Sequence, residues 1–197
     1  MDTLLKLSRW IDALTERVGK SAIWLVLVVV LVSTGNAVLR YTLNYSSNAF
    51  LEIQWYLFGA IFLACSGYTL MRNEHVRIDL VASKLSKRGQ TWIDIFGILF
   101  FLMPMAFTIL ILSWPVFMHA FVGNEMSNSP GGLIMWPVRL MIPVGFVLLI
   151  AQGISELIKR IGFLKGLCPD PTEKVIAMTA EEELAAIIKA RKEKGEA

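Results

Sequence analysis

The stretch SAIWLVLVVVLVSTGNAVL, residues 21–39, lies between Lys20 and Arg40 and contains no charged side chain. Apart from Ser33, Thr34 and Asn36 it is apolar around its whole circumference, whereas a helix on a water-soluble domain needs a polar stripe. At a rise of about 1.5 Å per residue, about 20 apolar residues match a hydrocarbon core about 30 Å thick. The segment therefore reads as a membrane-spanning helix. Three further stretches, residues 53–71, 95–118 and 140–158, meet the same length criterion.

Composition agrees with four spans. The chain has 197 residues, of which 55% are hydrophobic and 18% charged, below the roughly 25% charge of soluble domains; the mean hydropathy is +0.59. A net charge of +3 gives no argument for nucleic acid, but the placement of the cations is informative. Lys6, Arg9, Arg17 and Lys20 precede the first span, Arg72, Arg77, Lys84, Lys87 and Arg88 separate the second from the third, and Lys159, Arg160 and Lys165 follow the fourth. Segments 41–51 and 119–138 have neither Lys nor Arg. Because basic loops stay on the cytoplasmic side, both termini are expected inside. The first apolar run is too long and too far from the N-terminus for a cleaved leader and reads as an uncleaved signal anchor.

The fold expected is an all-α, integral membrane four-helix bundle with N-terminal and mid-chain interfacial amphipathic helices. The expected parts are an interfacial helix over 1–18, a four-span domain over 19–165 with spans at about 21–40, 52–71, 93–118 and 138–158, and a cytoplasmic tail over 166–197. Leu4, Leu7, Trp10, Ile11, Leu14 and Val18 share one helical face of the N-terminal segment, with Asp2, Lys6, Arg9, Asp12 and Glu16 on the other, a pattern suited to the membrane interface or to packing on the spans. Residues 76–88 repeat it through Ile78, Val81 and Leu85. In the tail, Thr179 and Glu182 form a capping box for a short helix.

Within the spans, Ala60, Ala64 and Gly67 form a small-residue face where another helix can approach. Pro104 should distort the third span. Gly145 and Gln152 lie seven residues apart on one face of the fourth, and the intramembrane amide of Gln152 needs a hydrogen-bond partner. Arg40 and Glu52 sit at the outer span ends, able to pair or to snorkel. No ionisable residue is expected at mid-bilayer depth, which argues against a pump with its own proton or ion path. Cys65 and Cys168 fall at different depths, which disfavours a disulfide. His75 and His119 fall on opposite sides, so they do not jointly hold a haem or a metal. There is no HExxH, P-loop, GxGxxG or GxSxG motif, and neither an enzyme activity nor a cofactor is expected.

Two local signatures are more specific. The sequence EIQWYLFGA, residues 52–60, opens the second span, and YTLMRNEHVRID, residues 68–79, leaves it. They are followed in order by SPGG at 129–132, Trp136-Pro137, IPVGF at 142–146 and AQG at 151–153. Over about residues 10–160 this order of motifs resembles the DctQ family, the small membrane subunits of tripartite ATP-independent periplasmic (TRAP) transporters. The resemblance implies a non-catalytic subunit that binds a large membrane subunit carrying the substrate and ion sites. It implies a periplasmic solute-binding protein as the third component, and secondary uptake of an organic acid, usually driven by sodium, across the bacterial inner membrane. It also implies that Glu52 and Trp55 belong to the outer end of the second helix, and that Arg72, His75, Arg77 and Asp79 form its cytoplasmic exit. With Ala60, Ala64, Gly67 and Gln152 these are the candidate subunit-interface or structural residues. The outer loop 123–137 is a candidate contact for the binding protein. An autonomous four-span channel or exchanger is the alternative.

Overall fold

The computed structural model describes residues 2–45, 47–73 and 86–168. The expected mid-chain helix, apart from its last residues, and the expected tail helix lie outside them, as do His75, Arg77 and Asp79. Four long helices make up the described chain: α1 (Asp2–Leu43), α2 (Asn48–Met71), α3 (Lys87–Val122) and α4 (Trp136–Leu164). Each contains one expected span and is long and apolar enough to cross a bilayer. Among the described residues the only extended pairing is a single antiparallel bridge, Met126 to Ile134, in the outer loop.

Helix ends follow from local sequence. Ser47 accepts a hydrogen bond from the Ala49 amide and Ser86 one from the Gly89 amide, so a hydroxyl starts both α2 and α3. All four helices are followed by a residue in the left-handed region: Asn44, Asn73, Asn124 and Gly166, at φ 49°, 55°, 45° and 72°. Asn and Gly tolerate that conformation, which lets the chain turn off the helix axis.

α4 is the centre of the bundle and packs on α1, α2 and α3, while α1 also packs on α2. The packing surfaces come close because glycine lines them. A Cβ on Gly145 would stand 2.7 Å from the Leu63 Cβ, one on Gly19 would stand 2.5 Å from the Tyr68 ring, and one on Gly153 would stand 2.6 Å from the Met103 Cε. These three sites set the α4–α2, α1–α2 and α4–α3 spacings, in a medium where apolar side chains gain nothing by leaving lipid.

One expectation changes. The N-terminal amphipathic segment is helical, but it is the first part of α1 and not a separate element; no Pro or Gly interrupts it before Gly19. Its expected apolar stripe does not form the packing face, since Leu4, Leu7, Trp10 and Leu14 are exposed and of the stripe only Ile11 is buried. The face that packs carries Ser8, Ile11, Thr15, Gly19 and Ala22. In α3, Pro104 is accommodated without a break. Residues Ile98–Leu102 form a π-helical turn immediately before it, in which the Met103 amide bonds to the Ile98 carbonyl. Widening the turn relieves the clash of the proline ring with the carbonyl four residues earlier. Buried positions on α3 are Thr91, Ile98, Met103, Ala106, Ser113, Phe117 and Ala120; they step by three, four or seven except across the π turn, where the step is five.

Candidate functional site

Polar groups concentrate at the two ends of the bundle. At the outer end, Glu52 in the first turns of α2 is buried at 6% exposure. Its carboxylate accepts the Leu133 amide at 2.7 Å and the Ser127 hydroxyl. The loop around it is tied by Ser127 N–H to the Leu133 carbonyl and by Met135 N–H to the Glu125 carbonyl, at 2.9 and 2.8 Å. Gly132 lies so close that a Cβ there would stand 2.8 Å from Glu52 Oε1. The Arg139 guanidinium grips Glu125 with two bonds, at 2.5 and 2.7 Å. The pairing of Glu52 with Arg40 considered from sequence is thus replaced by capture of the outer loop, and Arg139 takes Glu125 as its counter-ion.

At the other end lies a charged network that the sequence reading did not anticipate. Glu156 and Arg160, one turn apart on α4, are 3% and 1% exposed and form an ion pair. Arg160 also reaches Asp94 of α3 at 3.3 Å. Lys159 pairs with Glu156 and, at 3.1 Å, with Asp12 of α1. Asp12 further accepts the Ser155 hydroxyl at 2.7 Å and the Gln152 amide at 2.9 Å, and Ser8 meets Ser155 hydroxyl to hydroxyl at 2.7 Å. One network therefore links α1, α3 and α4. Glu156 and Arg160 lie at the end of the fourth span, away from the mid-bilayer positions at which no ionisable residue is expected, and are buried all the same. The reason is that each charge has a partner from a neighbouring turn or helix, the condition under which charges are tolerated away from water.

The nominated residues divide accordingly. Glu52 organises the outer loop, and Trp55 points outward at 73% exposure. Gly67 is buried, with its Cα edge against the Leu148 carbonyl, Thr15 and Gln152; Ala60 and Ala64 on the same helix are only half-buried. Gln152 is fully buried and donates to Asp12 and Glu156, while its own carbonyl oxygen has no partner among the described residues. Arg72 is exposed, stacks on Tyr68 and approaches Glu16 at 3.6 Å. Sequence reasoning missed Ser8, Asp12, Asp94, Ser155, Glu156, Lys159 and Arg160. Two signals were present: Ser8, Asp12, Thr15 and Gly19 run at helical spacing along α1, and Gln152, Ser155, Glu156 and Lys159 do so along α4.

Between α3 and α4 a groove of about 190 Å³ is lined only by apolar side chains, among them Leu110, Trp114, Pro143 and Val147. No polar atom faces into it. Among the described residues no three His, Cys, Asp or Glu side chains converge on a metal-sized site.

Residues 29–162 match the family model for the DctQ component of tripartite ATP-independent periplasmic transporters. The chain belongs to the DctQ family. No curated protein and no solved structure matches it. As a DctQ component with four apolar helices, it is a multi-pass membrane protein and one part of a three-component transporter. The matched region of this DctQ chain contains the whole outer clamp and the α3 and α4 members of the inner network. Ser8 and Asp12, the α1 members, lie before it.

Proposed function

We propose that this DctQ chain is the non-catalytic small permease subunit that anchors the large membrane subunit during ion-coupled uptake of an organic acid, with sodium as the coupling ion. It sits in the bacterial inner membrane with both termini cytoplasmic, as the alternation of basic and cation-free loops favours. The observation that carries the reading is where the polar groups go. Glu52 and Arg139 are committed to holding the outer loop, and Glu156, Lys159 and Arg160 to holding helices together. The described groove is apolar. Charges used this way make a rigid body at fixed depth, the part that a moving transport domain works against. The apolar outer faces of α1, α2 and α3, including Val30, Leu31, Phe58, Phe62 and Ile111, are available to lipid and to the large subunit. The loop held by Glu52 is the surface offered to the periplasmic binding protein.

Flux measurements separate this role from an autonomous channel or exchanger. The purified chain alone in proteoliposomes is expected to move no organic acid under a sodium gradient, and transport is expected to appear when the large subunit and binding protein are supplied. Solute flux through the chain alone would overturn the reading.

A further inference from the structure

The first turns of α1 carry a face that nothing in the described bundle covers. Ser8, Ile11, Thr15, Gly19 and Ala22 face the bundle. At about 100° per residue, the opposite side carries Lys6, Trp10, Ala13 and Arg17, flanked by Leu7 and Leu14 on one edge and Arg9 on the other, and all of these are exposed. Helix α2 gives no cover either, since Thr15 lies against Gly67 and α2 ends shortly afterwards, at Met71. With residues 21–39 in the hydrocarbon core, Lys6 to Arg17 stand about 6–23 Å beyond it on the same continuous helix. Water rather than lipid meets Leu7, Trp10 and Leu14 there, so burying them is favourable.

The fold also leaves this face positive. After Asp2, the first residue of the helix, the sequence as far as Lys20 holds Lys6, Arg9, Arg17 and Lys20 against Asp12 and Glu16. Asp12 is turned inward to Lys159, Gln152 and Ser155, and Glu16 is taken by Lys20 with Arg72 beside it. Lys6, Arg9 and Arg17 have no ion-pair partner among the described residues. An occupant of the strip must therefore bring acids as well as apolar side chains.

The same chain supplies one. Cys168, at the end of the described residues, lies beside the start of α1: a Cβ on Gly162 would stand 3.1 Å from the Cys168 Sγ and 3.7 Å from the Leu5 Cδ2. Residues 169–197 follow. Their sequence predicts a helix from the Thr179 cap to about Lys194, roughly 22 Å long, against about 17 Å from Lys6 to Arg17. Residues 169–178 can reach about 33 Å when extended, enough to bring that helix to any part of the strip. Leu184, Ile187 and Ile188 share one of its faces, with Glu181 and Glu183 on either side. Segment 74–85 is the poorer match, because its acids Glu74 and Asp79 are balanced by Arg77 and Lys84.

We infer that the tail helix docks on this strip of α1 within one chain. Leu184, Ile187 and Ile188 cover Leu7, Trp10 and Leu14, and Glu181 and Glu183 face Lys6 and Arg9. The inner end of the bundle then gains a fourth helix where α2 has stopped. The inference rests on the multi-pass membrane assignment and does not depend on the anchoring role.

The test uses the full chain carrying Cys65→Ala and Cys168→Ser, reconstituted at one chain per lipid nanodisc. It follows the rate at which a polar maleimide labels Ala13→Cys, in the middle of the strip. Labelling should be on the order of tenfold slower than in the same chain ended at Met178, the protection given by a docking preference of about 1.4 kcal/mol. Arg88→Cys, at the exposed start of α3, should label at the same rate in both. E181K/E183K should remove most of the protection and the addition of K6E/R9E should restore it, which reads the pairing even if the shortened chain does not fold. Equal rates in the full and shortened chains would overturn the inference, whether the strip is then bare or covered by another segment. So would failure of K6E/R9E to restore protection, or protection that arises only with two chains per disc, which would mark the tail of a second copy.

Discussion

Glu156 is the residue on which the inner end turns. It neutralises Arg160 and Lys159 at once and accepts from Gln152, with little of its surface exposed. Removing one partner of a buried pair leaves the other charge uncompensated and typically costs 3–5 kcal/mol. Glu156→Ala should therefore destabilise the bundle by about that amount, read as a lowered melting temperature in detergent, and an unchanged melting temperature would mean that water reaches Arg160. Glu16 behaves differently because it is half-exposed and its partners are exposed. Its hydrogen bond from Lys20, and then the charges of Lys20 and Arg72, hold its carboxyl below the usual value of 4.5. A depressed carboxylate contributes its stabilisation above the unfolded value and loses it as pH falls through the folded one. Hydrogen exchange near the inner ends of α1 and α2 should thus quicken modestly below about pH 4.5, and Glu16→Gln should remove that acid-dependent part.

At the scale of elements, the helix contacts are set by close approach at glycine. Gly145 of α4 meets both the Cβ and the backbone of Leu63, with a virtual Cβ 2.7 Å from the former and 3.2 Å from the carbonyl oxygen. Gly145→Leu must push α2 and α4 apart, and overpacking of this kind costs about 1–3 kcal/mol or more. Ala60→Leu acts on a half-buried position and should cost less. Comparing their melting temperatures checks the order, and the reverse order would place the principal seam on the alanine face instead. The four apolar helices, the small-residue face that includes Gly67, and the need of Gln152 for partners were legible, because hydropathy and small-residue spacing are properties of one helix; the close approach at Gly145 was not. Nor was Asp12 as the partner of Gln152, since it comes from α1, 140 residues away in sequence. Asp12 looked like part of a solvated face, and Lys159 and Arg160 like basic residues fixing topology. Nothing local distinguishes a cation at a cytoplasmic helix end from one folded against acids of two other helices. Of the two readings of the apolar stripe, packing on the spans is not what Leu4, Leu7, Trp10 and Leu14 do: these greasy side chains face outward while small and polar ones do the packing.

For the whole molecule, a charged network is buried at the end where α1, α3 and α4 are joined, beneath exposed apolar side chains that share the surface with exposed cations. Leu4, Leu7 and Trp10 on α1, and Trp92, Ile93 and Phe96 on α3, are exposed around Asp12, Asp94, Glu156 and Arg160. The same body presents Glu52 and its loop at the opposite end, so the two clamps are held at a set separation by continuous helices. Helix α3 spans that distance, and its one irregularity has a mechanical meaning. The five-residue step across Ile98–Leu102 acts as a phase shifter between Asp94, which must reach Arg160, and the Ala106, Ser113 and Phe117 ridge, which must lie on α4. Loss of one residue there, for example the exposed Phe100, would turn the five-residue step into the four-residue step of uniform α winding and keep the two halves in phase. Straightening the turn without shortening the chain would instead rotate the halves by about 100° and misalign either the ion pair or the ridge, so α3 tolerates a one-residue deletion at this turn far more readily than a forced α-helical winding.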